Sequence, residues 1–557
     1  MAYQQPSVNQ EYFKGAHDFN MSNPQFNHFH VNTPVDIQEK LEQKLKPTSG
    51  TWVDHKKICL DNTRTTILKD ISDWIYGSGE TIPQIFFLCG EAGTGKSTIS
   101  HTIGNEHNSC LGAFFCFDRT ISTKRTPSNA LRTIAYNLGI KFSEVGQILL
   151  KVFETYPYVL ESTDIQELWK ILIVNSTSQM TTGTDKPVLI IIDALDESGE
   201  KGGQRDDLLS LFMSHIHHLP QNFRILVTSR PESDIIDYLR IGSYNHNSIY
   251  PFNVQFMDEL HGTENDILLY ICSRMTKKTS SGSLTNAQCE KLAERAAGFF
   301  QWAAIVCTFL SGNGKGGLPI DRRFQQFMNL NQSKKGLDAL DQLYSYILNE
   351  AFDVKEEEAM ANYRSIMAQV VAAFEPLSEI MLKNLQSDGN DVSCVLSYVG
   401  SLFTGISKSD HAQIKPVHVS VLDFLLDEKR SHQFCIDQAQ GHQKLANGTF
   451  HLMFQKLHFN MGKLETSYIL NSKIENLDQR LAKQIAPELI YACHFWDLHL
   501  QNIKLDYSWV QRLEKLFFKF LLYWIEVLAL TRKIQIASRA ATFANNFIRN
   551  LEVSYYS

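Results

Sequence analysis

Gly90-Glu91-Ala92-Gly93-Thr94-Gly95-Lys96-Ser97 reads G-x-x-x-x-G-K-[ST], a loop pattern that cradles phosphate groups. Ile85-Phe86-Phe87-Leu88-Cys89 before it reads as a short buried strand, and Thr98-Ile99-Ser100-His101-Thr102-Ile103 after it as the opening turns of a helix. Strand, glycine loop and helix in that order are the context the motif needs. Glycines let the backbone wrap closely around phosphate oxygens, and a helix N-terminus adds free N–H groups and the positive end of its dipole. On this reading Gly90 to Thr98 bind the nucleotide, with Lys96 reaching the β- and γ-phosphates and Ser97 holding Mg²⁺. The expected ligand class is a nucleoside triphosphate.

A phosphate loop needs an acidic strand beside it. Val188-Leu189-Ile190-Ile191-Ile192-Asp193 supplies five aliphatics ending in a carboxylate, the Walker B pattern. Ligands of open α/β sheets sit at the carboxyl ends of strands, so Asp193 emerges where it can hold Mg²⁺, directly or through water. Ala194 is small, and Asp196-Glu197 follow; one of these two carboxylates can orient or deprotonate an attacking water. A further strand running into Thr228-Ser229-Arg230-Pro231 delivers Thr228 and Arg230 to the same edge. A guanidinium there can contact the γ-phosphate and stabilise developing charge. A surface arginine ahead of a proline-initiated helix is the competing reading of Arg230.

Apolar runs at 84–88, 111–117, 188–192 and 224–227 read as strands, separated by amphipathic stretches at 128–138, 165–173 and 206–217. Such alternation predicts a parallel sheet with helices on both faces, an α/β P-loop NTPase domain over 83–255. Residues 35–82 read as a helical linker, with apolar residues at 3–4 spacing over 66–76. From about 257 onward helical periodicity dominates, clearest at 265–275, 286–310, 336–352 and 362–374. This predicts a helical domain over 256–355, a winged-helix-like domain over 356–440 and a C-terminal helical region over 441–557. Residues 311–319 read as a flexible connector. Gly314-Lys315 within them is no second phosphate loop, because no strand precedes it and Gly316 follows the lysine. Residues 1–34, rich in Asn, Gln, His and Phe, read as a disordered leader or a short β-stacking segment.

At 557 residues the chain is long enough for about three or four domains. Hydrophobic content of 43% and charged content of 20% are those of an ordinary globular protein. A net charge of −7 over the whole length gives no reason to expect nucleic acid as a partner. The ten cysteines include no C-x-x-C pair, which argues against zinc and against a disulfide framework and fits the reducing cytoplasm. Met1 to Gln10 is polar, so no signal peptide is expected. The apolar stretch 516–530 carries Lys519 and Glu526 and is shorter than the ~20 residues of a membrane span, so it reads as a buried helix.

The phosphate loop, the Asp193 strand followed by a small residue, the Asp-Glu pair and the Arg230 strand together resemble the NACHT family of STAND-type NTPases over roughly 83–235. The wider chain resembles fungal NACHT proteins with a nephrocystin-like NTPase domain. That likeness rests on Cys59-Leu60-Asp61-Asn62-Thr63-Arg64, Phe114-Phe115-Cys116-Phe117-Asp118-Arg119, Ala296-Ala297-Gly298-Phe299-Phe300-Gln301-Trp302-Ala303 and Glu375-Pro376-Leu377-Ser378. The resemblance implies an NLR-like signalling switch, ADP-bound and closed at rest, ATP-bound and homo-oligomeric when active, answering to a protein trigger and effector in innate immunity or self/non-self recognition. His418-Val419-Ser420-Val421-Leu422-Asp423-Phe424-Leu425 resembles the family's winged-helix segment, where a histidine often senses the β-phosphate of ADP. By that resemblance His418 is a candidate nucleotide contact; a packed histidine at a helix start is the alternative. Tyr491-Ala492-Cys493-His494-Phe495-Trp496 resembles the family's helical stretch, whereas the ankyrin, tetratricopeptide or WD-type repeats that usually follow it are not seen before Ser557.

The expected ligands are therefore ATP and ADP with Mg²⁺, and the expected reaction is slow, regulatory ATP hydrolysis. Adenine follows from the resemblance, since no guanine-specific N-K-x-D signature is present. An AAA-like motor ATPase and a catalytically weak nucleotide-binding scaffold are the alternatives. The charge balance, without a basic stripe, speaks against a nucleic-acid motor. Lys96, Ser97, Asp193 and Glu197, all present, speak against a degenerate scaffold.

Overall fold

The structure, a computed structural model, describes residues 34–556 apart from 49–51, 78–81, 122–123, 125, 179, 181–185, 200–201, 245–251, 258–259, 261, 277–281, 312–318, 330–336, 387–390, 407–411, 467, 472–473 and 475. The leader reading of 1–34 and the connector reading of 311–319 fall almost wholly outside the described residues.

Five parallel strands form one sheet: β1 (Ile85–Cys89), β2 (Leu111–Cys116), β3 (Val188–Asp193), β4 (Phe223–Ser229) and β5 (Phe252–Phe256), in the order β2-β3-β4-β1-β5. Side chains alternate across a strand, so each strand feeds two cores. Ile85, Phe87, Ile190, Ile192, Ile225 and Val227 face one layer, made by helices α1 (Pro34–Leu45), α4 (Pro127–Lys141), α5 (Ser143–Thr155), α6 (Ile165–Leu168), α8 (Gln204–Ser214) and α9 (Ser233–Tyr244). Phe86, Leu88, Leu189, Ile191 and Leu226 face the other, covered by α2 (Thr65–Tyr76) and α3 (Lys96–Glu106). A π-helical stretch, Trp169–Val174, carries α6 on into the short α7 (Asn175–Thr177).

The sheet corrects the sequence reading in two places. Phe252–Phe256 is a strand that the sequence reading passed over; it pairs with β1 alone, from Ile85↔Phe252 to Cys89↔Phe256. The stretch expected as linker is part of the layers. Ile37, Leu41 and Leu45 of α1 are buried in the same cluster as the strands, and Ile67, Ile71, Trp74 and Ile75 of α2 in the opposite one.

Beyond the sheet the chain is helical: α10 (Thr263–Met275), α11 (Asn286–Ala296), α12 (Phe300–Ser311), α13 (Ile320–Met328), α14 (Leu337–Ala351), α15 (Glu357–Ala372), α16 (Glu379–Leu385) and α17 (Val392–Tyr398) come first. A two-stranded antiparallel hairpin, β6 (Phe403–Thr404) with β7 (Lys415–Pro416), follows. Then come α18 (Ser420–Leu426), α19 (Glu428–Ser431), α20 (Gln438–Lys456), α21 (Leu477–Gln484), α22 (Pro487–Gln501), α23 (Tyr507–Lys515), α24 (Leu521–Leu530) and α25 (Gln535–Tyr556). The single helix expected over 286–310 is broken, because Ala297 and Gly298 take φ of +47° and +88°, the left-handed turn that ends a helix. The stretch 516–530 is helical but only partly buried. Trp524, Val527 and Leu528 pack inward, while Phe518 is 87% and Leu522 75% exposed. No helix among the described residues is long and apolar enough to cross a membrane.

One continuous apolar core runs from Ile267 to Phe547, through the boundaries expected near 355 and 440. Its tightest seam is α20. A Cβ on Gly441 would stand 2.0 Å from the Ala368 carbonyl oxygen, and one on Gly448 1.9 Å from that of Leu385. Both obstacles are backbone and cannot rotate away. Gly441→Ala and Gly448→Ala are expected to destabilise the protein by about 1–3 kcal/mol each, the usual cost of overpacking, read as a lower urea midpoint. A midpoint equal to that of the unaltered protein would disprove the close approach.

Candidate nucleotide site at the carboxyl edge of the sheet

The strand order places β4 between β1, which runs into the glycine loop, and β3, which ends in Asp193. Three chemically distinct strand ends therefore meet along one edge. Gly90 N donates to Ser229 O at 3.2 Å, tying the loop to β4. Gly93 and Gly95 take φ of +82° and +98°, which other residues rarely adopt. Lys96 opens α3 and folds back over the loop, donating from Nζ to Gly90 O at 2.7 Å and to Glu91 O at 2.9 Å. Burial pushes its ammonium below the ordinary lysine range, against the opposing pull of Asp196.

Asp193 is fully buried. Its Oδ1 accepts from Thr228 Oγ1 at 2.5 Å and its Oδ2 from Cys116 Sγ at 3.3 Å. Thr228 Oγ1 in turn accepts from Ala194 N at 2.9 Å, so Thr228 orients both the carboxylate and the turn that follows it. Ala194 takes φ of +57°, a left-handed conformation that costs any residue with a Cβ, and swings the chain into a 3₁₀ turn, Leu195–Glu197.

That turn separates the two carboxylates that the sequence left interchangeable. Asp196 is engaged at both oxygens by one residue: Oδ1 accepts from Arg230 N at 3.0 Å, and Oδ2 pairs with Arg230 Nε at 3.1 Å. Among the described residues, Glu197 accepts only from the backbone N of Arg119, at 3.1 Å to Oε2. Burial, helped by the neighbouring Asp196 charge, raises its carboxyl to about 8. A carboxyl that titrates near neutrality can, once ionised, accept a proton from water, whereas both oxygens of Asp196 are already engaged by Arg230.

Arg230 reaches further than the edge. Its Nη1 meets Asp423 Oδ2 at 2.7 Å, and Asp423 Oδ1 meets Arg119 Nη1 at 2.9 Å. Asp423 belongs to α18, so one carboxylate of the helical half joins two arginines of the sheet half. Sequence reasoning missed Arg119 and Asp423 as site residues, although both lie in stretches that it singled out. His418 sits just before α18. Its Nδ1 accepts from Ser420 N at 3.1 Å and lies 2.7 Å from Ser420 Oγ, which leaves the ring proton on Nε2. Burial, with the Arg230 and Lys96 charges close by, depresses its pKa to about 3. His418 is thus a neutral imidazole facing the same cations as the phosphate loop.

A cavity of about 740 Å³ opens beside the loop, lined among others by Arg64, Thr94, Pro231, Phe256 and Met257. Its size and mixed lining suit a nucleotide-sized ligand. Arg64 ties its wall together, donating from Nη2 to Thr94 O and from Nη1 to Thr263 Oγ1, both at 2.8 Å, with its guanidinium 4.7 Å over the Phe300 ring. The residues present also fit Mg²⁺ and phosphate. Each oxygen of Asp193 has one protein donor, which leaves lone pairs for a cation or its water, and Ser97 is exposed at the head of α3. Arg230 Nη2 is buried with no hydrogen-bond partner among the described residues, a donor suited to an incoming phosphate oxygen.

Residues 62–230 match the family described as nephrocystin 3, N-terminal. Among solved structures, the Walker-type ATPase PABY2304 of Pyrococcus abyssi matches at 13% identity and a TM-score of 0.34, over 68% of this chain and 98% of that one. No curated protein matches the chain. Motif, strand order and the family match agree on a Walker-type P-loop NTPase domain.

The raised Glu197 carboxyl makes a signed expectation for stability. A group whose folded pKa lies above its unfolded value of 4.5 stabilises the fold at low pH, and that contribution is lost as pH rises through about 8. Glu197→Gln keeps the shape without the charge. In thermal melts without nucleotide, this variant is expected to melt above the unaltered protein at about pH 9, with the gap closing towards about pH 5. A gap independent of pH would refute the buried, proton-holding carboxyl.

Proposed function

We propose that this chain is an ATP/ADP-governed signalling switch of the NACHT/STAND type, in which slow ATP hydrolysis resets the state. Lys96 binds the β- and γ-phosphates, Ser97 and Asp193 hold Mg²⁺, and Arg230 reads the γ-phosphate. When bound, Mg²⁺ neutralises phosphate charge. Glu197 in its ionised form is the proton acceptor: the water oxygen bonds to the γ-phosphorus, the bond to the β,γ-bridging oxygen breaks, ADP leaves with that electron pair, and the water's proton passes to the Glu197 carboxylate. The Nε2–H of His418 donates to the β-phosphate from the helical half. The hairpin β6–β7, with the helices around it, supports the winged-helix reading of 356–440.

The observation that carries the proposal is Asp423. It holds Arg230 and Arg119 at 2.7 and 2.9 Å and bonds the helical half to the group that would read the γ-phosphate. A phosphate is a more highly charged acceptor than a carboxylate and competes for Arg230. With ADP the arginine stays on Asp423 and the halves stay closed. With ATP it turns to the γ-phosphate, Asp423 is released, and the helical half is free to move and expose an assembly surface. The equilibrium shifts only by the difference in binding between the two states, so Asp423 sets the threshold.

Three variants test this. Lys96→Ala is expected to abolish nucleotide binding and nucleotide-dependent assembly. Asp423→Ala is expected to assemble at ADP levels that keep the unaltered protein monomeric, read by light scattering after size exclusion. A Lys96→Ala protein that assembled normally would sink the proposal, as would an Asp423→Ala protein with the unaltered nucleotide dependence. His418→Ala is expected to release ADP about 10–100-fold faster, since hydrogen bonds to charged groups contribute about 1.5–3 kcal/mol.

A further inference from the structure

Arg205 lies on α8, carries no phosphate motif, and is 2% exposed. Burying a guanidinium is costly, and packing alone is served as well or better by a hydrophobic side chain. What Arg205 touches gives it a different use. Its Nη1 donates to the backbone oxygen of Asp196 at 2.9 Å. Its Nη2 pairs with Glu232 Oε2 at 3.0 Å and Asp234 Oδ2 at 2.8 Å. Asp196 in turn grips Arg230 through its backbone N and through Nε. One planar fork therefore spans the acidic turn after β3, the Arg230-Pro231-Glu232 turn after β4 and the start of α9.

These are the two turns whose relative placement matters most for hydrolysis. Glu197 is next to the anchored carbonyl of Asp196, and Arg230 is two residues from Glu232. A rigid fork fixes direction as well as distance, which the single ammonium of a lysine does not. Nε of Arg205 is buried without a partner among the described residues, so the two terminal nitrogens carry all the linkage.

We infer that Arg205 is a positioning residue for γ-phosphate hydrolysis: it locks the Glu197 turn to the Arg230 turn, so that the proton acceptor and the phosphate-reading guanidinium keep a fixed separation. The inference rests on the hydrolytic role proposed above for Glu197 and Arg230. It separates binding from chemistry, because Arg205 touches neither the glycine loop nor the cavity beside it.

The test uses the full chain with Arg205→Lys and Arg205→Met, fluorescent ADP for affinity, and single-turnover ATP hydrolysis across pH. Both variants are expected to bind ADP within about twofold of the unaltered protein and to hydrolyse about 10–100-fold more slowly, the scale of a misplaced catalytic group. The pH at which the rate reaches half its maximum is expected to move, since Glu197 changes surroundings. Glu232→Gln, at the more exposed end of the network, is expected to change the rate in the same direction by less, and it keeps the test available where Arg205→Met does not fold. A folded Arg205→Lys protein with the unaltered rate and pH profile would overturn the inference, as would equal losses of ADP binding and hydrolysis. Hydrolysis by the unaltered protein no faster than by Lys96→Ala would instead remove the hydrolytic reading, and the inference with it.

Discussion

Charge that is buried must be partnered, and at the carboxyl edge of this sheet that constraint organises everything else. Asp193 and Asp196 are buried there, with Lys96 and Arg230 beside them. Left alone, each would cost several kcal/mol in desolvation or lose its charge. Each has instead been given a partner that also carries information about the site. Thr228 serves Asp193, the loop carbonyls serve Lys96, and Asp196 serves Arg230. Glu197 departs from this pattern. With one backbone donor and no ion pair among the described residues, its carboxyl is pushed up to about 8 by burial.

The insertion of β4 between β1 and β3 makes this possible. It puts Thr228 beside Asp193 and sends Arg230 outward between the loop and the acidic turn. From there Arg230 meets Asp423, and the helical half becomes part of the same charge network. That half has one unbroken apolar core from Ile267 to Phe547. A push on α18 is therefore felt by close-packed neighbours, since well-packed interiors transmit strain. In the proposed switch, the network and the core together would couple a phosphate-sized event to the whole helical half.

What was legible in the sequence follows the range of each interaction. β1, β3 and β4 showed themselves because central parallel strands are apolar on both faces and end in chemistry-bearing residues, and β2, though at the sheet's edge, is apolar and buried along almost all its length. β5 escaped because it is an edge strand, Phe-Asn-Val-Gln-Phe, with Val254 exposed, and looks like polar loop. The break at Ala297-Gly298 was signalled by a glycine inside an apolar repeat that otherwise read as one long helix. The Lys96 and Asp193 positions were legible because their motifs are local. The separate duties of Asp196 and Glu197 were not, since they depend on Arg230 and on the backbone of Arg119. Asp423 was beyond reach altogether: its partners lie 304 and 193 residues away in the chain.

The glycine loop is also wired from outside its own motif. Gln301, at the start of α12, donates its backbone N–H to Gly93 O at 3.0 Å, and its Cβ would stand 2.5 Å from a Cβ placed on residue 93. The main-chain bond survives any side-chain substitution at position 301, so drift in sequence there leaves it intact. Cutting the polypeptide does not. An excised sheet half ending before α12 would carry every letter of the phosphate signature and yet lose the strut that shapes it. In that sense the glycine loop is a composite part, written in one half of the chain and held in form by the other.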